Sequence, residues 1–138
     1  MDFRVWALLS ATFAGLTAIL AKKGVEGVPT NLALAARVVV VLIFAVMIAV
    51  ATKETRLSQL TTRNWIFLTL SGIATGASWL CYFRALQLGP VSKVAPIDKL
   101  SFVLAMVLGF LVLKEKVTLN LGLGAAMIVV GVLVTLRN

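Results

Sequence analysis

A handful of charged and aromatic residues stand inside long apolar runs, and these carry whatever chemistry the chain has. They are Arg37, Lys93 and the adjacent pair Asp98-Lys99. A charged side chain against hydrocarbon costs on the order of a few kcal/mol, so each must face protein, water or a ligand. The chemistry available to such groups is recognition of the opposite charge. Arg37 or Lys99 would take a carboxylate, and Asp98 an ammonium group or a proton. Arg37 lies seven positions into its run, about 10 Å at the rise of a helix. Its stem is long enough to snorkel to the interface, so it either snorkels, forms a structural ion pair, or faces a cavity. Lys93 is only two positions into its run and reads as interfacial. A second constellation is the stripe Ser71, Thr75, Ser78 and Tyr82, spaced along one helical face, with Trp79 beside it and Gly72-x-x-x-Gly76 on the flank. Read functionally, it is a wall of hydroxyls and aromatic rings facing a substrate. Read structurally, the glycines mark close helix packing and the hydroxyls bond back to their own helix. Ser10, Ala14 and Thr17, and likewise Gly124 and Gly131, read as packing surfaces.

Other chemistry is hard to build from this composition. There is no histidine, the usual proton shuttle and commonest zinc ligand, and Cys81 is the single cysteine. Gly122 and Gly124 lie in an apolar run without the Lys-Ser or Lys-Thr of a phosphate loop. No acidic pair is spaced for hydrolysis on one helix face. The expectation is therefore no enzyme, no cofactor and no metal.

The elements that position these residues follow from hydropathy. Of 138 residues, 61% are hydrophobic and 13% charged, against about 45–50% and 25% in a soluble domain. Apolar runs fall at 3–21, 31–51, 64–83, 91–113 and 119–136, each near the roughly 20 residues that cross a bilayer. The fold class expected is an all-α membrane protein of five transmembrane helices forming one domain over 1–138, with short polar turns at 22–30, 52–63, 84–90 and 114–118. Arg4 stands at the head of the first run, but the A-x-A spacing of a cleavage site is absent, so that run reads as a permanent helix. Thirteen Lys and Arg against five Asp and Glu give a net charge of +8. Because the basic residues lie mostly between apolar runs, lipid headgroups rather than nucleic acid are the expected partner.

The fourth run admits two readings. A helix beginning at Pro96 would place Asp98 in its first turn, where the dipole favours an acid. A helix beginning near Val91 would be kinked by Pro96, freeing the carbonyl of Ser92 and placing Asp98 and Lys99 several residues deep. Neighbours on a regular helix differ by about 100°, so the two side chains are expected to point apart, each with a partner of its own. Asp98 is the one acid inside a run, the others being Asp2, Glu26, Glu54 and Glu115. By elimination it is the candidate for proton coupling.

Orientation is weakly specified. Arg4, Lys53, Arg56, Arg63, Lys114 and Lys116 fall on one membrane face, and Lys22, Lys23, Arg84 and Arg137 on the other, joined by Lys93 if it is counted. Two outcomes stay open on charge alone, insertion in both orientations or an N-terminus in the cytoplasm.

The segments Tyr82-Phe83-Arg84-Ala85-Leu86-Gln87-Leu88-Gly89-Pro90, Val94-Ala95-Pro96, Leu113-Lys114-Glu115-Lys116-Val117-Thr118 and Gly122 to Gly131 resemble an EamA-type domain of the drug/metabolite transporter superfamily. Trp6, the Lys23-Gly24 turn and Arg37 are similar too, so the likeness covers nearly the whole chain. It departs at Phe102, where many members have proline, and at the charged Asp98-Lys99. Most relatives contain two inverted five-helix domains; this chain resembles the short bacterial and archaeal members with one. The resemblance implies residence in the cytoplasmic membrane and a single inverted-repeat unit pairing as an antiparallel homodimer. It implies a secondary transporter of a small polar or amphipathic metabolite. The chemistry of the residues, rather than the resemblance, supplies the candidate site: Trp79 and Tyr82 as aromatic walls with Thr75 and Ser78, Asp98 for an ammonium group or a proton, and Lys99 or Arg37 for a carboxylate, a set that would suit a zwitterion such as an amino acid. Small multidrug-resistance relatives use an acid in the first helix, which is absent here. The alternatives are a cationic-drug exporter and a non-transporting membrane subunit or assembly factor.

Overall fold

The computed structural model describes residues 2–137. Its ordered elements are helices, α1 (Phe3–Gly24), α2 (Thr30–Ala51), α3 (Thr62–Leu88), α4 (Val91–Asp98), α5 (Leu100–Leu113) and α6 (Leu119–Leu136), with a single 3-10 turn at Leu57–Gln59. No strand occurs among the described residues. Five helical stretches are long and apolar enough to cross a membrane, α4 and α5 together making the fourth. The side chains of these stretches are largely exposed, as expected when the surrounding solvent is hydrocarbon and the backbone must satisfy itself within each helix. This is a multi-pass membrane protein. The chain divides into two compact units, Met1–Leu88 and Gly89–Asn138.

In the first unit α3 packs against both α1 and α2. The tight centre is at one end, where Val25, Phe83 and Leu86 are 1, 3 and 0% exposed; Ala18 of α1 is also buried. Two expected boundaries move. The first helix continues to Gly24 and the third to Leu88, so 84–88 is helix where a turn was expected. Charge does not end these helices. Lys22 and Lys23 occupy the last turn of α1, where cations complement the dipole, and the side chains closing α3 find partners on the neighbouring connection. That connection reverses at Gly27, whose φ of +70° suits a residue without Cβ, and Pro29 caps α2.

In the second unit α6 packs on both α4 and α5, bracing the two halves of the fourth span. The helix begins at Val91, directly after Pro90, contains Pro96, and is interrupted at Lys99. Pro96 has no N–H to offer Ser92, and the chain tightens just beyond it. The Lys99 amide donates to the Pro96 carbonyl at 3.1 Å and the Phe102 amide to the Lys99 carbonyl at 3.1 Å, three-residue spacings in place of four. Thr118 caps α6, its hydroxyl accepting from the Leu121 amide at 3.3 Å.

Two helices stop in the same manner. Lys53 after α2 and Lys114 after α5 have φ of 59° and 55°, and each is followed by a glutamate. The Glu54 amide returns to the Ala49 carbonyl at 2.9 Å and the Glu115 amide to the Gly109 carbonyl at 3.2 Å. The Glu115 carboxylate folds over Gly109, where a Cβ would lie 2.9 Å from Oε2.

Candidate functional site

Arg37 is half-buried on α2. Its guanidinium carbon sits 4.4 Å from the ring centre of Trp79 and 5.3 Å from that of Phe83. Trp79 and Phe83 are four residues apart on α3, so both rings present one face to α2. A cation over two ring faces is stabilised by roughly 0.5–2 kcal/mol per ring, more as water is excluded. The rings position the guanidinium without neutralising it. Among the described residues, the ion pairs join Arg4 to Asp2 and Lys99 to Asp98, and Arg37 takes part in neither.

Arg37 and Phe83 form part of the wall of a cavity of about 400 Å³, whose other lining residues are Thr17, Leu20, Ala21, Gly24, Ala33, Val40 and Val41. Arg37 is its one charged lining residue and Thr17 its one hydroxyl. The cavity therefore offers a fork of N–H donors suited to a planar carboxylate, set in an apolar wall suited to a hydrocarbon body.

The remaining candidates divide. Thr75 donates to the Ser71 carbonyl one turn back, at 2.9 Å, so this hydroxyl is engaged by its own helix. Ser78 and Thr75 are both exposed, and neither lines the Arg37 cavity. A Cβ added at Gly72 or Gly76 would meet no other atom within 4 Å, and the same holds at Gly124 and Gly131. The packing expected of those small residues is not made within the described chain.

Asp98 and Lys99 belong to the second unit and pair with each other, Nζ to Oδ2 at 3.4 Å, both part-exposed. This corrects the expectation that they point apart, each with its own partner. The 100° rule holds in a continuous helix, and here the interruption falls between them. Asp98 ends α4 and Lys99 precedes α5, so the acid sits where the carbonyl end of one half-helix meets the amino end of the next. Lys99 also lies 5.1 Å from the Phe102 ring. Lys93 is exposed in the first turn of α4.

Two residues of structural consequence were not singled out in the sequence. Phe83 is one; an aromatic four positions after Trp79 was its signal. Gln87 is the other. Its amide donates to the carbonyls of Val28 at 2.7 Å and Val25 at 3.2 Å. Its carbonyl oxygen accepts from the Thr30 hydroxyl at 2.5 Å and from Arg84 Nη1 at 3.2 Å. Alongside, Lys22 Nζ donates to the Leu86 carbonyl at 2.6 Å. One amide thereby joins the end of α3 to the connection between α1 and α2.

The sequence matches the EamA-like transporter family over residues 4–137. It is also 48% identical over 133 residues to a Sinorhizobium sp. protein named "uncharacterized transporter in cobO 3′ region", covering 96% of this chain and 94% of that one. No solved structure matches. An all-helical chain with five membrane-length helices, matched from Arg4 to Arg137, belongs to the EamA-like transporter family.

Proposed function

We propose that the chain is a secondary transporter of a small polar or amphipathic metabolite bearing a carboxylate, such as an amino acid or related compound, and that it works as an antiparallel homodimer. The observation that carries this reading is Arg37, about 10 Å from the start of α2, held over Trp79 and Phe83 at a cavity wall with no carboxylate of the described chain to neutralise it. An intramembrane cation fixed in this way is a ligand partner by default. A carboxylate arriving there makes paired, charge-assisted hydrogen bonds that a rigid fork gives up little entropy to form. In this reading Trp79 and Tyr82 supply aromatic faces beside the guanidinium, the exposed Thr75 and Ser78 lie outside the cavity, and Asp98 with Lys99, in the second unit, is a separate candidate for an ammonium group or a proton. The odd number of spans is what favours a second, inverted copy in this reading. Antiparallel pairing then recreates the inverted repeat on which alternating access rests.

Flux in proteoliposomes across a panel of carboxylates, amino acids and amines, with and without a pH gradient, tests it. Arg37→Gln should raise the half-saturation concentration for carboxylate substrates by at least about tenfold, the loss of one charged hydrogen bond of about 1.5 kcal/mol. Arg37→Lys should recover part of it. Absence of protein-dependent flux for every compound overturns the transporter reading of this chain alone. Unchanged carboxylate flux in a folded Arg37→Gln variant removes Arg37 from the site.

A further inference from the structure

A second cavity, of about 750 Å³, opens between the start of α2 and the last turns of α3, lined by Pro29, Thr30, Asn31, Leu80, Cys81, Arg84, Ala85 and Leu88. It shares no lining residue with the cavity at Arg37. Its chemistry is graded along the helix axis. Arg84, Thr30 and Asn31 lie near the helix ends, whereas Leu80 and Cys81 lie about 4–6 Å further in than Arg84 along α3. A soluble anion would find the charge but have no use for the apolar wall. A neutral lipid would fit the wall and leave the charge unanswered.

We propose that this groove seats one anionic phospholipid, its phosphate on Arg84 and the start of an acyl chain along Leu80 and Cys81. Charge complementarity carries the choice of occupant. Arg84 is an exposed cation on a chain of net charge +8, and anionic headgroups gain roughly 1 kcal/mol per nearby Lys or Arg. Its guanidinium is oriented rather than free to wander. Nη1 donates to Gln87 Oε1 at 3.2 Å, and Gln87 is itself held by two backbone carbonyls. The remaining donors of the fork stay available to phosphate oxygens. The first amides of α2, beside Thr30, add the positive end of a helix to the same spot.

The test is native mass spectrometry of the purified full chain released from detergent containing equal amounts of phosphatidylglycerol and phosphatidylcholine. The wild-type chain should retain one phosphatidylglycerol and discriminate against phosphatidylcholine. Arg84→Gln should lower the retained phosphatidylglycerol about fivefold, corresponding to about 1 kcal/mol, while Arg84→Lys keeps most of it and Arg63→Gln, at the other end of α3, changes nothing. Ala85→Trp, which fills the groove with the charge intact, should also expel the lipid, and this provides the answer if Arg84→Gln fails to fold. Equal retention of both lipids, retention unchanged in Ala85→Trp, or displacement of the lipid by excess glycerol 3-phosphate would each overturn the proposal, the last in favour of a soluble anion.

Discussion

Replacing Gln87 with methionine removes four hydrogen bonds while keeping the length and approximate volume of the side chain. The Val28 and Val25 carbonyls lose donors at 2.7 and 3.2 Å, and the Thr30 hydroxyl and Arg84 lose an acceptor. Arg84 is exposed and turns to water at little cost. The other three partners lie beside a nearly closed centre formed by Val25, Phe83 and Leu86. At about 1 kcal/mol for each hydrogen bond lost, rising where water does not replace it, Gln87→Met should cost about 2–4 kcal/mol. The measurement is reversible unfolding in mixed micelles with increasing sodium dodecyl sulfate, followed by circular dichroism and tryptophan fluorescence. Gln59→Met, in the exposed 3-10 turn, is the control and should stay within about 0.5 kcal/mol. A double-mutant cycle with Thr30→Val should give a coupling of roughly 0.5–1.5 kcal/mol, because the two side chains share a bond. If Gln87→Met behaves like Gln59→Met, the amide does not join α3 to the preceding connection and the reasoning fails.

Lys114→Gly should raise stability by about 0.5–1 kcal/mol, since relief of roughly 1–2 kcal/mol of left-handed backbone strain exceeds the entropy that glycine adds to the unfolded chain; denaturant midpoints measure it. Asp98→Asn should leave folding within about 1 kcal/mol, because a part-exposed ion pair contributes little, yet abolish any acceleration of flux by an imposed pH gradient. Equal acceleration in wild type and variant excludes Asp98 as the proton carrier. With Cys81 replaced by serine and a single cysteine placed at Asn138, which lies outside the described residues, an impermeant thiol reagent should label about half the molecules in intact cells if the chain inserts both ways up. All-or-none labelling excludes dual insertion.

Hydropathy made the five spans legible because length and apolarity are what a bilayer selects. It misplaced the ends of α1 and α3 because runs were closed at the first charge, whereas Lys22, Arg84 and Gln87 are helical residues whose polar ends reach carbonyls on a neighbouring segment. The involvement of Pro96 in a distorted fourth span was readable. The interruption at Lys99 was not, since it depends on how the turn after a proline tightens, and with it went the pairing of Asp98 with Lys99. Arg37 and Trp79 were each recognisable as out of place in hydrocarbon. Their stacking joins residues 42 positions apart on different helices, and nothing in the spacing of either helix encodes that. Gln87 lay inside a segment noted for family likeness but read as a turn, so its side chain was not weighed.

The two left-handed lysines tie the finished fold to the way it is inserted. Glycine would end α2 and α5 at lower cost, yet Lys53 and Lys114 are also two of the six basic residues that the alternation of spans in the sequence assigns to one membrane face. During biosynthesis, such residues near the ends of spans are what sets orientation. Exchanging both for glycine would leave four against four. At these two positions a helix stop and a topogenic signal are one residue, so optimising the fold there erases information that the insertion machinery reads.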